Sequence, residues 1–281
     1  MCRRDIRFTA ASLLVALATA CGDDSTGPDG PTARNDIGEM ARDEVEAALD
    51  ALTLQTLLAP LNVGGPPCVT SSTPADDDGD GIPNDATYLF TAPPCSYSDV
   101  RGSTLEIVGQ LRVQDPTATA SFGYAGTLTA LRYTLRPDDD DDPDYTLSRN
   151  GSTALAGTTA GLQLATDLQV VRTFPGQPDG GIEELWAVNF TPEAQLQINQ
   201  PLPDGTLEIS GTMNWTRGAE SFPIEVATQT ALHFDADCAE VQRFDGGELR
   251  LNSDFGGEPG SIRLRWSECG VEPDIDFVAA E

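Results

Sequence analysis

The sequence predicts a mainly β protein: a two-repeat antiparallel β-sandwich or partly closed β-barrel with an N-terminal α-helix packed on it. Three observations carry that expectation. Runs of alternating apolar and polar residues recur from Tyr88 to Trp266, separated by turn residues. One segment near the N-terminus has helical spacing instead. A six-residue word, Thr104-Leu-Glu-Ile-Val-Gly109, also returns as Thr206-Leu-Glu-Ile-Ser-Gly211.

The chain opens with Arg3, Arg4 and Arg7, an apolar run from Phe8 to Ala20, and small residues Ala18-Thr19-Ala20 before Cys21-Gly22. These are the charged region, apolar region and cleavage site of a secretory signal. The run is too short to span a bilayer, which takes about 20 apolar residues. A cysteine directly after the small residues resembles the lipobox of bacterial lipoproteins, with Ala18 where that family usually has Leu. The resemblance implies that residues 1–20 are a removed signal peptide and that Cys21 carries the lipid. The protein would then be exported and held on the cell envelope, at the outer membrane or cell surface, with the membrane as its partner through the anchor. Residues 21–34 are rich in Gly, Pro and Asp and read as a flexible acidic tether. Within it, Asp23-Asp24 resembles a sorting signal for surface display.

The helix is expected over 35–60. Asp36 and Glu39 have capping-box spacing, and Ile37, Met40, Ala41, Val45, Ala48, Leu49 and Leu52 form one apolar stripe. Glu39, Arg42, Asp43, Glu46 and Asp50 should face outward, and a second apolar piece, Leu54 to Ala59, stops at Pro60.

Strands follow at Leu105–Val113, Leu162–Val170, Leu185–Phe190, Gln195–Ile198, Leu207–Trp215, Phe222–Phe234, Glu248–Leu251 and Ser261–Trp266. Tyr145–Arg149, Asn150-Gly151 and Ser152–Ala156 carry the signature of a hairpin with a type I′ turn. The repeat extends beyond its best word: Phe90-Thr91 matches Phe190-Thr191, and Thr129–Tyr133 resembles Thr230–Phe234. It divides the body into 61–160 and 161–281. The offset drifts from 100 to 102 residues between these matches, which points to a β-bulge differing between copies. Trp186, Trp215 and Trp266 share strand faces with apolar residues and belong to the core.

Composition excludes whole classes of chemistry. Sixteen basic residues, all arginine, face 45 acidic ones, for a net charge of −29. Such a surface repels nucleic acid and anionic headgroups. Without lysine there is no Schiff base and no phosphate-loop lysine. His233 is the only histidine, so multi-histidine zinc sites are impossible. It lies on the polar face of its strand with Glu225 and Gln229.

Cys68, Cys95, Cys238 and Cys269 remain once Cys2 and Cys21 are set aside. Four cysteines in an exported chain imply disulfides with three possible pairings, and proximity favours Cys68–Cys95 and Cys238–Cys269. Each would close a loop of about 30 residues, worth roughly 3 kcal/mol.

The motif richest in chemistry is Asp76-Asp-Asp-Gly-Asp-Gly-Ile-Pro-Asn-Asp85. Asp76, Asp78 and Asp80 stand at positions 1, 3 and 5, Gly81 at the sharp turn, and the Ile82 backbone carbonyl at position 7, the spacing that converges oxygens on a hard cation. The ten residues resemble the calcium loops of thrombospondin type 3 repeats, and the resemblance implies calcium. Position 9 is Asn84 and position 12 is Thr87 in place of the usual Glu, leaving Asp85 or water to complete the set. The motif falls inside the expected Cys68–Cys95 ring, which favours structural over regulatory calcium. The run Asp138–Asp142 lacks a converging glycine and reads as a solvated loop.

These features fit a non-catalytic structural or binding module of the envelope with a structural calcium loop. A carrier of an apolar ligand in a curved β-sheet cavity is the alternative. A secreted hydrolase such as a glycosidase is weaker, because no catalytic constellation can be named.

Overall fold

The structure, a computed structural model, describes residues 30–54, 57, 75–98, 104–117, 119–137, 144–238 and 242–280. Residues 1–20, Cys21, Cys68, the run Asp138–Asp142 and most of Leu54–Ala59 lie outside them. Among the described residues, helix α1 (Gly30–Asp50) precedes eleven strands. These are β1 (Asp85–Ser98), β2 (Thr104–Gln114), β3 (Tyr124–Arg136), β4 (Tyr145–Thr158), β5 (Gly161–Thr173) and β6 (Gly180–Pro192), followed by β7 (Gly205–Arg217), β8 (Glu220–Phe234), β9 (Phe244–Ser253), β10 (Gly260–Trp266) and β11 (Asp274–Ala279). Every strand pairs antiparallel with its sequence neighbour, in one sheet that runs from β1 to β11 and does not close. The expected mainly β body with a packed N-terminal helix is therefore present, as a single curved sheet.

The helix begins earlier than its capping signal suggested. Residues 30–34, read as tether, are helical, with Pro31 in the first turn where its missing N–H costs nothing. Asp36 is not a cap. It lies inside the helix and accepts the Trp215 indole N–H at 3.0 Å, with Arg217 3.5 Å away.

The outward-facing charged stripe is also corrected. Glu46 is fully buried, Arg42 is 4% exposed and Glu44 is 3% exposed. The sheet wraps past the apolar stripe and meets the polar one with arginines. Arg149 on β4 pairs with Glu44 at 2.8 Å, and Arg172 on β5 pairs with Asp43. Arg243, just before β9, reaches Glu46 at 3.1 Å and Asp50 at 2.8 Å. At the helix N-terminus Arg34 pairs with Glu258 and lies 3.7 Å from the Phe277 ring centre. At the other end Ala51 O accepts the Tyr124 hydroxyl at 2.5 Å, which satisfies one of the carbonyls a helix terminus leaves open.

Alternation on the strands works as predicted. On β5, Leu162, Leu164, Leu168 and Val170 are buried in the core while Gln163, Asp167 and Gln169 face out. Trp186, Trp215 and Trp266 are all core residues. Gln195–Ile198, expected as a strand, belongs to the β6–β7 connection, and β1, β3 and β11 were not named among the expected strands.

The Asn150-Gly151 hairpin is corrected as well, for β4 runs through it unbroken. Asn150 Oδ1 accepts the Ala130 N–H at 3.2 Å, across a bulge where Ala130 has φ 48°. A Cβ on Gly151 would fall 2.1 Å from Asp167 O. The dipeptide makes a kink within a strand, not a reversal between two.

The repeat survives as topology. Its words fall on β1–β2–β3 and again on β6–β7–β8, and both glycines carry positive φ, 121° at Gly109 and 147° at Gly211. A bulge lies at the first, between Val108 and Gln110, and another just before the second, between Leu207 and Ser210. The registers differ: Ile107 faces Tyr133, whereas Phe234 faces Gly205. Cys238–Cys269 forms, with Cα atoms 5.9 Å apart. Cys95 is buried and disulfide-bonded.

Removing one partner of a buried pair strands the other charge. Arg243→Leu should lower stability by about 3–5 kcal/mol in urea denaturation, and Glu46→Leu in the same chain should restore part of the loss, because Arg243 also pairs with Asp50. Losses that simply add would contradict the pairing.

Candidate functional site

The acidic loop packs against the sheet between the end of α1 and the start of β1. Its base is closed by the Asn84 N–H donating to Ala75 O at 2.8 Å, and by the Asn84 amide donating to Asp77 at 2.8 Å. Glycines at 79 and 81 take φ of 75° and 85°, the left-handed turns that only glycine adopts without strain. Those turns bring carboxylate oxygens of Asp76, Asp78 and Asp80 within 4.8 Å of one another.

Each carboxylate also organises the loop. Asp76 accepts the N–H groups of Gly79 at 2.8 Å and Gly81 at 3.0 Å. Asp80, 2% exposed, accepts Ile82 N–H at 2.8 Å and Ser121 N–H at 3.0 Å, which ties the loop to the β2–β3 connection. Asp78 Oδ2 is buried with no hydrogen-bond partner. Desolvation raises the Asp78 pKa, and the negative charges of Asp80, Asp115 and Asp76 raise it further. A cation would reverse that repulsion.

The donor set fits a hard cation in part. The three aspartates converge, and Ile82 follows the Gly81 turn at position 7. Asn84 is turned to Asp77. Asp85 stands on β1 with both oxygens held by Arg112, at 2.8 and 2.5 Å, so the structure does not bring it to the triad. Sequence reasoning missed Ser121 and Asn199, whose carboxamide presses on Gly81. No spacing signal links either to the motif, since both arrive through the fold.

His233 lies on the polar face of β8, between Asp245 at 2.6 Å and Glu193 at 3.2 Å. The Asp245 hydrogen bond is the main reason its pKa rises. Both ring nitrogens are engaged by carboxylates, which makes it a surface charge pair in this geometry.

A third cluster lies under the sheet. Glu184 occupies an inward position of β6 between Ile182 and Trp186. Burial, then the charge of Glu44, push its pKa up to about 8 against the opposing pull of Arg149. Its Oε2 has no hydrogen-bond partner. Burial likewise carries Glu46 to about 7 despite Arg243.

No protein-family model, no curated protein and no solved structure matches this chain.

The folded chain holds the Glu184 proton that the unfolded chain releases near its ordinary value of 4.5. Stability from this group is therefore complete below pH 4.5 and is lost as the pH rises towards 8, by at most about 1.4 kcal/mol per pH unit. Glu184→Gln cannot ionise. Its melting temperature should fall less than that of the wild type between pH 6 and pH 9, and parallel curves would contradict the assignment.

Proposed function

We propose that the protein is a non-catalytic structural or binding module of the bacterial cell envelope, lipid-anchored through Cys21, with calcium as a structural ion in the Asp76–Ile82 loop. The observation that carries this reading is the helix inside the sheet. The concave face, where a curved sheet would hold cargo or substrate, is filled by Ile37, Met40, Ala41, Val45, Leu49 and Leu52 and sealed by charge pairs. That arrangement favours a rigid body over a carrier with a large cavity under the helix. For the ion, the support is convergence of three carboxylates on a loop that lacks a partner for Asp78 Oδ2. Asp76, Asp78 and Asp80 would hold it, with water completing the shell. The ion would cross-brace the loop and, through Asp80 and Ser121, the β2–β3 connection.

Calcium at about a hundred times its dissociation constant would add roughly 2.7 kcal/mol of stability. The melting temperature should rise by several degrees between EGTA and calcium, and Asp78→Asn should abolish the shift while leaving the melting temperature in EGTA unchanged or higher. An identical melting temperature with and without chelator would remove calcium from the account. Cys21→Ala should release the protein from the membrane fraction, and continued tight association would remove the anchor.

A further inference from the structure

A cavity of about 290 Å³ opens where α1 ends, between the acidic loop, the start of β3 and the β6–β7 connection. Its volume is near the lower end for small-molecule sites, roughly 300 Å³. The walls are apolar, with Leu52, Phe122, Leu155, Leu162, Leu196 and Leu202 among them. The polar lining is uncharged apart from one group. Gln197, Asn199 and Gln200 stand on one turn of the β6–β7 connection, where Asn199 takes φ 59° and the Gln200 N–H donates to Gln197 O. The exception is Asp80, whose two oxygens already accept backbone N–H groups. Tyr124 also lines the cavity, but its hydroxyl is committed to Ala51 O.

We propose that this cavity is a binding site for a compact neutral molecule with an apolar body and an uncharged hydrogen-bonding head. Charge decides the class. No arginine is among the described lining residues, Asp80 is beside the cavity, and the chain carries a net charge of −29. An anion such as a fatty carboxylate would be desolvated without a counter-charge, which burial penalises heavily. A neutral amide, ester or hydroxyl head can exchange hydrogen bonds with the three carboxamides, which offer both donors and acceptors. The apolar body gains from contact with the leucine walls, about 25 cal/mol for each Å² removed from water. The site goes beyond the envelope-module reading and does not depend on calcium occupying the loop.

The test uses the full chain carrying Cys21→Ala, which keeps acyl chains and detergent out of the assay. N-phenylnaphthylamine, a neutral apolar fluorophore, should bind saturably at one site. Its sulfonated analogue anilinonaphthalenesulfonate, with the same ring skeleton, should bind at least about tenfold more weakly, a difference near 1.4 kcal/mol. Leu202 is only partly buried, so Leu202→Trp can fill the cavity from its edge and should weaken the neutral probe by a similar factor. Leu202→Ala should retain binding. Leu185→Ser, which removes the most exposed leucine on the opposite face of the sheet, should change nothing. Absence of saturable binding, equal affinity for the sulfonate, loss of the signal in Leu185→Ser, or full binding by a Leu202→Trp protein of unchanged melting temperature would each overturn the proposal.

Discussion

An enclosed helix that carries charge on one side must be met by opposite charge, and this matching governs the molecule. Desolvating Glu44 or Glu46 alone would cost several kcal/mol, beyond what one added apolar contact returns. Arg149, Arg172 and Arg243 remove most of that cost, and they come from β4, β5 and the approach to β9. The pairs therefore set the rotation of the helix about its axis as well as its depth. Apolar packing alone would tolerate neighbouring rotations, whereas a guanidinium aligned on a carboxylate does not. Glu184 is the residue this arrangement leaves uncompensated: Arg149 is shared with Glu44, and the nearest relief is to keep a proton.

Wrapping a helix requires curvature that a regular sheet lacks. The irregularities include the β2–β3 bulge at Gly109, the kink at Gly151 opposite Leu168, Gly211 opposite Trp186, and the β7–β8 bulge after Leu207, while β5 and β6 pair without a register shift. A bulge increases local twist and bends its strand, so each of these sites adds curvature to the sheet. The repeated word ends on a positive-φ glycine in both copies, with a bulge beside it in each. Shared sequence here reflects a shared bend, with hydrogen-bond registers free to differ.

Much of this was legible in the sequence. Two-residue periodicity identified β5, β7 and β10, because each has one face on the core and one in solvent. The three aspartates and Gly81 were legible because the acidic loop is local, its carboxylates separated by two residues. What escaped detection depended on remote chain. Nothing near Asp43 or Glu46 announces that arginines more than a hundred residues away will cover them, so the charged stripe read as solvent-facing. Asn150-Gly151 has the local chemistry of a turn, and only the neighbouring strands decide that it is a kink. β11 escaped because its alternation, Asp274 to Ala279, is short and its side chains are mostly half-exposed at the sheet edge.

The central helix also dictates how the chain can reach its native state. Every strand pairs with its sequence neighbour, so the sheet itself needs only short-range closure. The helix precedes them all, yet its partners lie at Glu258, Arg243, Arg217, Arg172 and Arg149. Synthesis from the N-terminus delivers the core element first and its enclosure last. Until β9 is made, Glu46 has no arginine to meet. A chain truncated before Arg243 would lose more than its last strands: it would leave the helix without the charge that completes its seat.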